Sequence, residues 1–137
     1  ADLITVHLET CNKPVEVLKA IRASGAKSGI SVSPPTDPAP IVPLLEYCDL
    51  VLIMTVNPGW GGQRFMPECL AKVELIAREV SQRGLSVHVE VDGGIDHETG
   101  LRCLKAGADV LVAGNYIFSA ADRCAAIRRL SGLDSAV

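Results

Sequence analysis

No apolar run in this 137-residue chain reaches the roughly 18 residues needed to cross a bilayer, and no basic stretch followed by an apolar one marks a secretory leader. A membrane partner is not expected. Lysine and arginine never form a block, and the net charge is −3 with acids and bases interspersed. That pattern excludes an extended nucleic-acid footprint. There is no C-x-x-C pair. The five cysteines (Cys11, Cys48, Cys69, Cys103 and Cys124) are odd in number and widely spaced, which argues against a disulfide framework or a structural zinc and fits a reducing, cytoplasmic compartment. Low-complexity segments and sequence repeats are missing too, as is an initiating methionine. Ala1 leads almost at once into a strand pattern, which is expected of a truncated start. What remains is 48% hydrophobic, enough for a real core in one domain over 1–137 with a small-molecule partner.

Strand-like runs fall at about 2–7, 28–33, 50–56, 86–91 and 109–113, with helical patterns between each pair. Strict β-α alternation implies a parallel sheet. The clearest helix, about 67–83, carries Pro67 in its first turn and an apolar stripe of Met66, Cys69, Leu70, Val73, Ile76, Ala77 and Val80, and Gly84 stops it. Asp96 is placed to cap a helix from about 97 to 106, with Leu101, Leu104 and Ala108 inward and Gly107 as the stop, and a last helix runs roughly 120–131. The proline-rich stretch Pro34 to Pro40 reads as a βα loop, because alternation resumes after it. Five βα units are too few to close a (β/α)₈ barrel, so the chain is part of a barrel or an open sheet. Either way, ligands bind at the carboxyl ends of the strands.

Three glycine-bearing turns follow strands. In the first, Val56-Asn57-Pro58-Gly59-Trp60-Gly61-Gly62-Gln63-Arg64-Phe65, Gly59, Gly61 and Gly62 let backbone approach a ligand closely, while the lone Trp60 can cover it and exclude water. Val91-Asp92-Gly93-Gly94-Ile95 and Val112-Ala113-Gly114-Asn115-Tyr116 are the others, and two such turns in adjacent units point to a phosphate site at Gly93, Gly94, Gly114 and Asn115. Ordinary tight-turn chemistry is the plainer alternative. Alternation puts His88, Glu90 and Asp92 on one strand face, which makes Asp92 a candidate general acid/base or metal ligand, or else a turn cap. Met54 offers an adaptable wall or simple core packing. His7 and Glu9 share parity at the end of the first strand, where they could orient a substrate or each other. No second histidine lies at metal-ligand spacing from His7, so a metal site within this chain alone is not supported, and His88 and His97 are given no role.

The run Val51 to Phe65, with Val91-Asp92-Gly93-Gly94-Ile95 and the Gly114 turn, resembles the ribulose-phosphate 3-epimerase family over essentially the whole chain, from Val6-His7-Leu8-Glu9 onward. The resemblance implies a (β/α)₈ TIM barrel of which about five C-terminal βα units are present. It further implies a metal-dependent interconversion of D-ribulose 5-phosphate and D-xylulose 5-phosphate by proton removal and return at C3, as in the pentose phosphate pathway. The divalent metal would be Zn, Fe, Mn or Co. By position, Asp92 matches the family's second catalytic aspartate, also a metal ligand. Gly59 to Gly62 match the substrate lid, Gly93 with Gly94 and Gly114 with Asn115 match the two phosphate turns, and Met54 matches a methionine lining the site. The family's other aspartate, two metal-binding histidines and a serine lie on three strands before the first one here, so Asp92 stands alone and the isolated chain is expected to be inactive or nearly so. Trp60 stands where Phe is more usual and Asn115 where Ser is. Those two changes keep open an epimerase of a six-carbon ketose phosphate such as allulose 6-phosphate. A non-catalytic phosphosugar-binding or assembly protein is the third reading. Open strand edges lead us to expect a homo-oligomer.

Overall fold

The computed structural model describes residues 1–135 and 137. Five strands, β1 (Leu3–His7), β2 (Lys27–Val32), β3 (Leu50–Met54), β4 (His88–Asp92) and β5 (Val110–Val112), form one sheet in the order of the chain. Every neighbouring pair is parallel. The spatial order never reverses, so there is no switch point of the doubly wound kind, and the winding is that of a barrel segment.

The two faces of the sheet differ sharply. Ile30, Val32, Val51, Ile53, Val89 and Val91 alternate onto one face and are buried, with relative exposures of 3% or less. Helices α1 (Pro14–Ala23), α2 (Leu70–Gln82) and α3 (His97–Ala106) supply the matching layer, with Leu18, Val73, Ile76 and Cys103 in the common core. The opposite face carries His7, Ser31, Leu52 and Glu90 in one register row and Met54, Asp92 and Val112 in the next. That face is polar where the chemistry is expected.

Segment Ala39–Tyr47 is a 3₁₀ helix with Pro43 inside it, where a helical pattern was expected. Proline lacks the N–H that an α-helix interior needs, and Pro38, Pro40 and Pro43 together prevent a regular α turn. Helix α2 runs as expected, with Cys69, Val73 and Ile76 buried and Met66, Leu70, Ala77 and Val80 packed around them. Gly84 follows it at φ +62°. In α3 the deeply buried positions are Gly100 and Cys103, with Leu101 and Leu104 only half-buried. Gly100 faces Leu111 and Leu133 so closely that a Cβ would sit 3.2 Å from each, which turns the expected leucine face aside. A short helix α4 (Gly114–Phe118) and a final helix α5 (Arg123–Ser131) complete the order. No helix among the described residues is long and apolar enough to cross a membrane.

Candidate active site

The three glycine turns converge. At the carboxyl ends of β3, β4 and β5 they line one cleft of about 860 Å³, together with Met54 and Asp92. Every candidate named from the sequence lies on it except His7 and its companion Glu9: Met54, Gly59, Trp60, Gly61, Gly62, Asp92, Gly93, Gly94, Gly114 and Asn115. His7 sits on the edge strand β1, and the row it begins reaches Glu90 only across Ser31 and Leu52. Its Nδ1 lies 3.5 Å from Glu9 Oε2, so the two orient each other.

Asp92 ends β4 with Met54 as its register partner. Burial pushes its carboxyl above the ordinary aspartate value. Glu90, one step down the same face, is also raised, first by burial and then by the charge of Asp92. A carboxyl that burial makes hold its proton more tightly, at the mouth of a cleft, is suited to taking up and returning a proton. The other aspartate at this mouth is committed elsewhere: Asp96 Oδ1 accepts from the Thr99 backbone N–H at 2.8 Å, and the Thr99 hydroxyl closes the reciprocal capping box on α3.

The turn after Asp92 needs its two glycines for reasons of conformation and of space. Gly93 and Gly94 have φ of +128° and +66°. A Cβ on Gly93 would fall 2.8 Å from the Val56 nitrogen, and one on Gly94 would fall 2.5 Å from the Phe65 nitrogen. Val56 and Phe65 are the two ends of the 57–65 loop, so this turn is the seat of both its hinges. Thr55, fully buried, donates its hydroxyl to Gly93 O at 2.6 Å, and its carbonyl accepts from Met66 N–H at 2.8 Å. Within the loop, Gln63 Nε2 donates to the carbonyls of Asn57 (2.6 Å) and Trp60 (2.9 Å). Trp60 stands 71% exposed at the tip. The loop therefore has a fixed base under an uncovered tip.

Thr55, Gln63, Glu90 and Arg102 escaped assignment from the sequence. Thr55 and Gln63 had a signal, as hydrogen-bonding residues at the hinge and inside a glycine loop. Arg102 had none: only tertiary packing brings its guanidinium 5.7 Å from the Phe65 ring centre and onto the cleft wall. His88 is structural, its Nδ1 2.8 Å from Asp109 Oδ2, while Asp109 Oδ1 accepts from the Val89 N–H.

A metal implied by the resemblance is not accommodated by these residues alone. Among the described residues no three His, Cys, Asp or Glu side chains gather as a donor set. Asp92 with Glu90 beneath it falls short of the ligands a catalytic ion requires.

Ribulose-phosphate 3-epimerase of Mycobacterium bovis is 44% identical over 93% of this chain and 56% of its own length. That of Treponema pallidum is 42% identical over 96% of this chain and 61% of its own. The chain thus spans somewhat over half the length of the curated relatives it matches. Among solved structures, a 3-hexulose-6-phosphate synthase superposes with a TM-score of 0.67 at 26% identity, covering 97% of this chain and 62% of that one. The family model described as the ribulose-phosphate 3 epimerase family matches residues 1–118. By that match over most of its length and by its identity to these relatives, the chain belongs to the ribulose-phosphate 3 epimerase family.

Proposed function

We propose that this chain carries the lid, the phosphate turns and one proton-handling carboxylate of an epimerase that interconverts D-ribulose 5-phosphate and D-xylulose 5-phosphate. The observation that carries the reading is the convergence of Asp92, Met54 and three glycine turns on one cleft beneath a lid. In the mechanism, Gly93, Gly94, Gly114 and Asn115 hold the phosphate, and Met54 lies beside the sugar chain. Closure of Trp60 over the ligand excludes water. Asp92 exchanges a proton with C3, whose acidity comes from the neighbouring C2 ketone, and its raised carboxyl favours both uptake and return. Inversion at C3 needs a second proton-transfer group on the far face. A divalent metal (Zn, Fe, Mn or Co) would take Asp92 as one ligand and would need the rest from outside the described residues. The five unpaired cysteines fit a cytoplasmic enzyme.

The test is NMR-detected exchange of the C3 hydrogen of ribulose 5-phosphate in D₂O, with an Asp92→Asn control and a chimera that adds the leading βα units of the Mycobacterium bovis relative. The isolated chain is expected to bind ribulose 5-phosphate in competition with inorganic phosphate and to exchange C3 at trace level at most. The chimera is expected to epimerise, with Asp92→Asn abolishing turnover. Chimera activity that survives Asp92→Asn overturns the role of Asp92, and a chimera that turns over allulose 6-phosphate in preference to ribulose 5-phosphate reassigns the substrate.

A further inference from the structure

We propose that Lys72 is a positioning residue for the lid: its ammonium, held in a cradle of three backbone carbonyls, fixes the exit hinge of the 57–65 loop. Lys72 lies in the first turn of α2, seven residues past Phe65. Its Nζ donates to the carbonyls of Ser33 (2.9 Å), Pro34 (2.6 Å) and Thr36 (2.5 Å), which uses all three ammonium protons. All three acceptors belong to the loop after β2.

Placing a cation there is unfavourable in isolation. A helix N-terminus repels positive charge, and a part-buried ammonium needs partners. Among the described residues no carboxylate lies within ion-pair distance of Lys72, so the carbonyl dipoles are what hold it. The loop, for its part, is short of donors. Pro34 and Pro35 have no N–H, and the Thr36 N–H is spent on Ser33 O at 3.1 Å, which leaves the Pro34 and Thr36 carbonyls without a local donor among the described residues. The Ser33 N–H goes the other way, to Glu9 Oε1 at 2.6 Å. A carboxylate from the segment after β1 and an ammonium from α2 therefore both hold the same loop.

The consequence reaches the lid through α2. Phe65 rests on Gly94, and Met66 is bonded to Thr55. Only the 3₁₀ turn Pro67–Cys69 separates Met66 from α2. Lys72 ties the start of that helix to the loop after β2, so the hinge is braced from the β2 side as well as by the turn after β4.

This role rests on the reading of 57–65 as a lid over a phosphate-bearing ligand, and the test separates the two. Trp60 is the only tryptophan and lies on the lid, so its emission and anisotropy report lid position directly. Residue-resolved hydrogen exchange on the unliganded chain examines the clamp alone. In Lys72→Met the amides of Thr36 and Met66 are expected to exchange about tenfold faster or more, as loss of a charged hydrogen bond implies. The Ala125 amide, capped by Asp122 on α5, should be unchanged. Trp60 anisotropy should fall. Acceleration at Thr36 with Met66 and Trp60 unaffected overturns the proposal, because Lys72 would then serve only its own loop. Should Lys72→Met fail to fold, Lys72→Arg serves: it keeps the charge but cannot aim three donors at one centre, and wild-type exchange at both amides in that variant also overturns the proposal. Titration of wild type with inorganic phosphate and ribulose 5-phosphate, read by Trp60, tests the lid itself. A silent Trp60 there, with the exchange effects present, refutes the ligand reading and leaves the clamp standing.

Discussion

At the scale of single residues, Asp92 and Glu90 hold the most telling chemistry. Both carboxyls bind their protons more tightly in the folded protein than in the unfolded chain, because burial penalises the charged forms. The stability linked to them is therefore complete while they are protonated, and it is lost as pH rises out of the ordinary carboxylate range through their raised values. Asn cannot ionise. Asp92→Asn is expected to raise the melting temperature at pH 7 by a few degrees, with the advantage shrinking as pH falls through the raised value and gone below about pH 4. Thermal melts of both proteins across that range check it, and a variant that melts lower at pH 7 removes the buried-charge account. Asp92 was legible in the sequence because strand alternation and a following Gly-Gly fix its place locally. Lys72 and Arg102 were not, because their partners lie 36 or more residues away for Lys72 and 37 away for the Phe65 ring. Spacing along a chain does not encode such meetings.

At the scale of elements, the glycines and caps do most of the specifying. Helix α3 begins at a reciprocal box between Asp96 and Thr99 and ends on Gly107 at φ +109°. Its capping carboxylate and the cleft share a turn, so the start of α3 holds Gly94 in place through the Thr99 hydroxyl, 2.9 Å from the Gly94 carbonyl. Asp96→Ala is expected to cost about 1 kcal/mol of stability in denaturant unfolding. An unchanged midpoint would mean that the box is not formed in solution. The start and stop of α3 were readable from Asp96 and Gly107, as was the barrel-like strand rhythm. Which of its faces points inward was not, because Gly100 admits Leu111 and Leu133, and neither lies within the helix. Between β2 and β3 the prolines signalled a loop, and they also dictate that the helical segment Ala39–Tyr47 winds as 3₁₀.

At the scale of the whole molecule, the sheet pairs β1 and β5 on one side only, and Ile4 and Val112 on these edge strands are exposed by 38% and 36%. Unpaired edges invite further pairing. Sedimentation of the purified chain is expected to show concentration-dependent self-association. A sharp monomer at all loadings contradicts that expectation. Parallel five-stranded architecture was legible because strands and helices alternate without exception. The division of labour between the faces was legible on β4 alone, where His88, Glu90 and Asp92 alternate with valines.

That the sheet is ordered as the chain is ordered has a consequence for biosynthesis. Each new strand docks beside the one translated just before it, so no strand has to wait for a distant partner, and loop closure stays short throughout. The sheet can grow by accretion as the polypeptide leaves the ribosome. The 57–65 loop departs from this pattern: its two ends rest on Gly93 and Gly94, about thirty to forty residues further on, so it emerges early and stays without its seat until the Asp92 turn has been made.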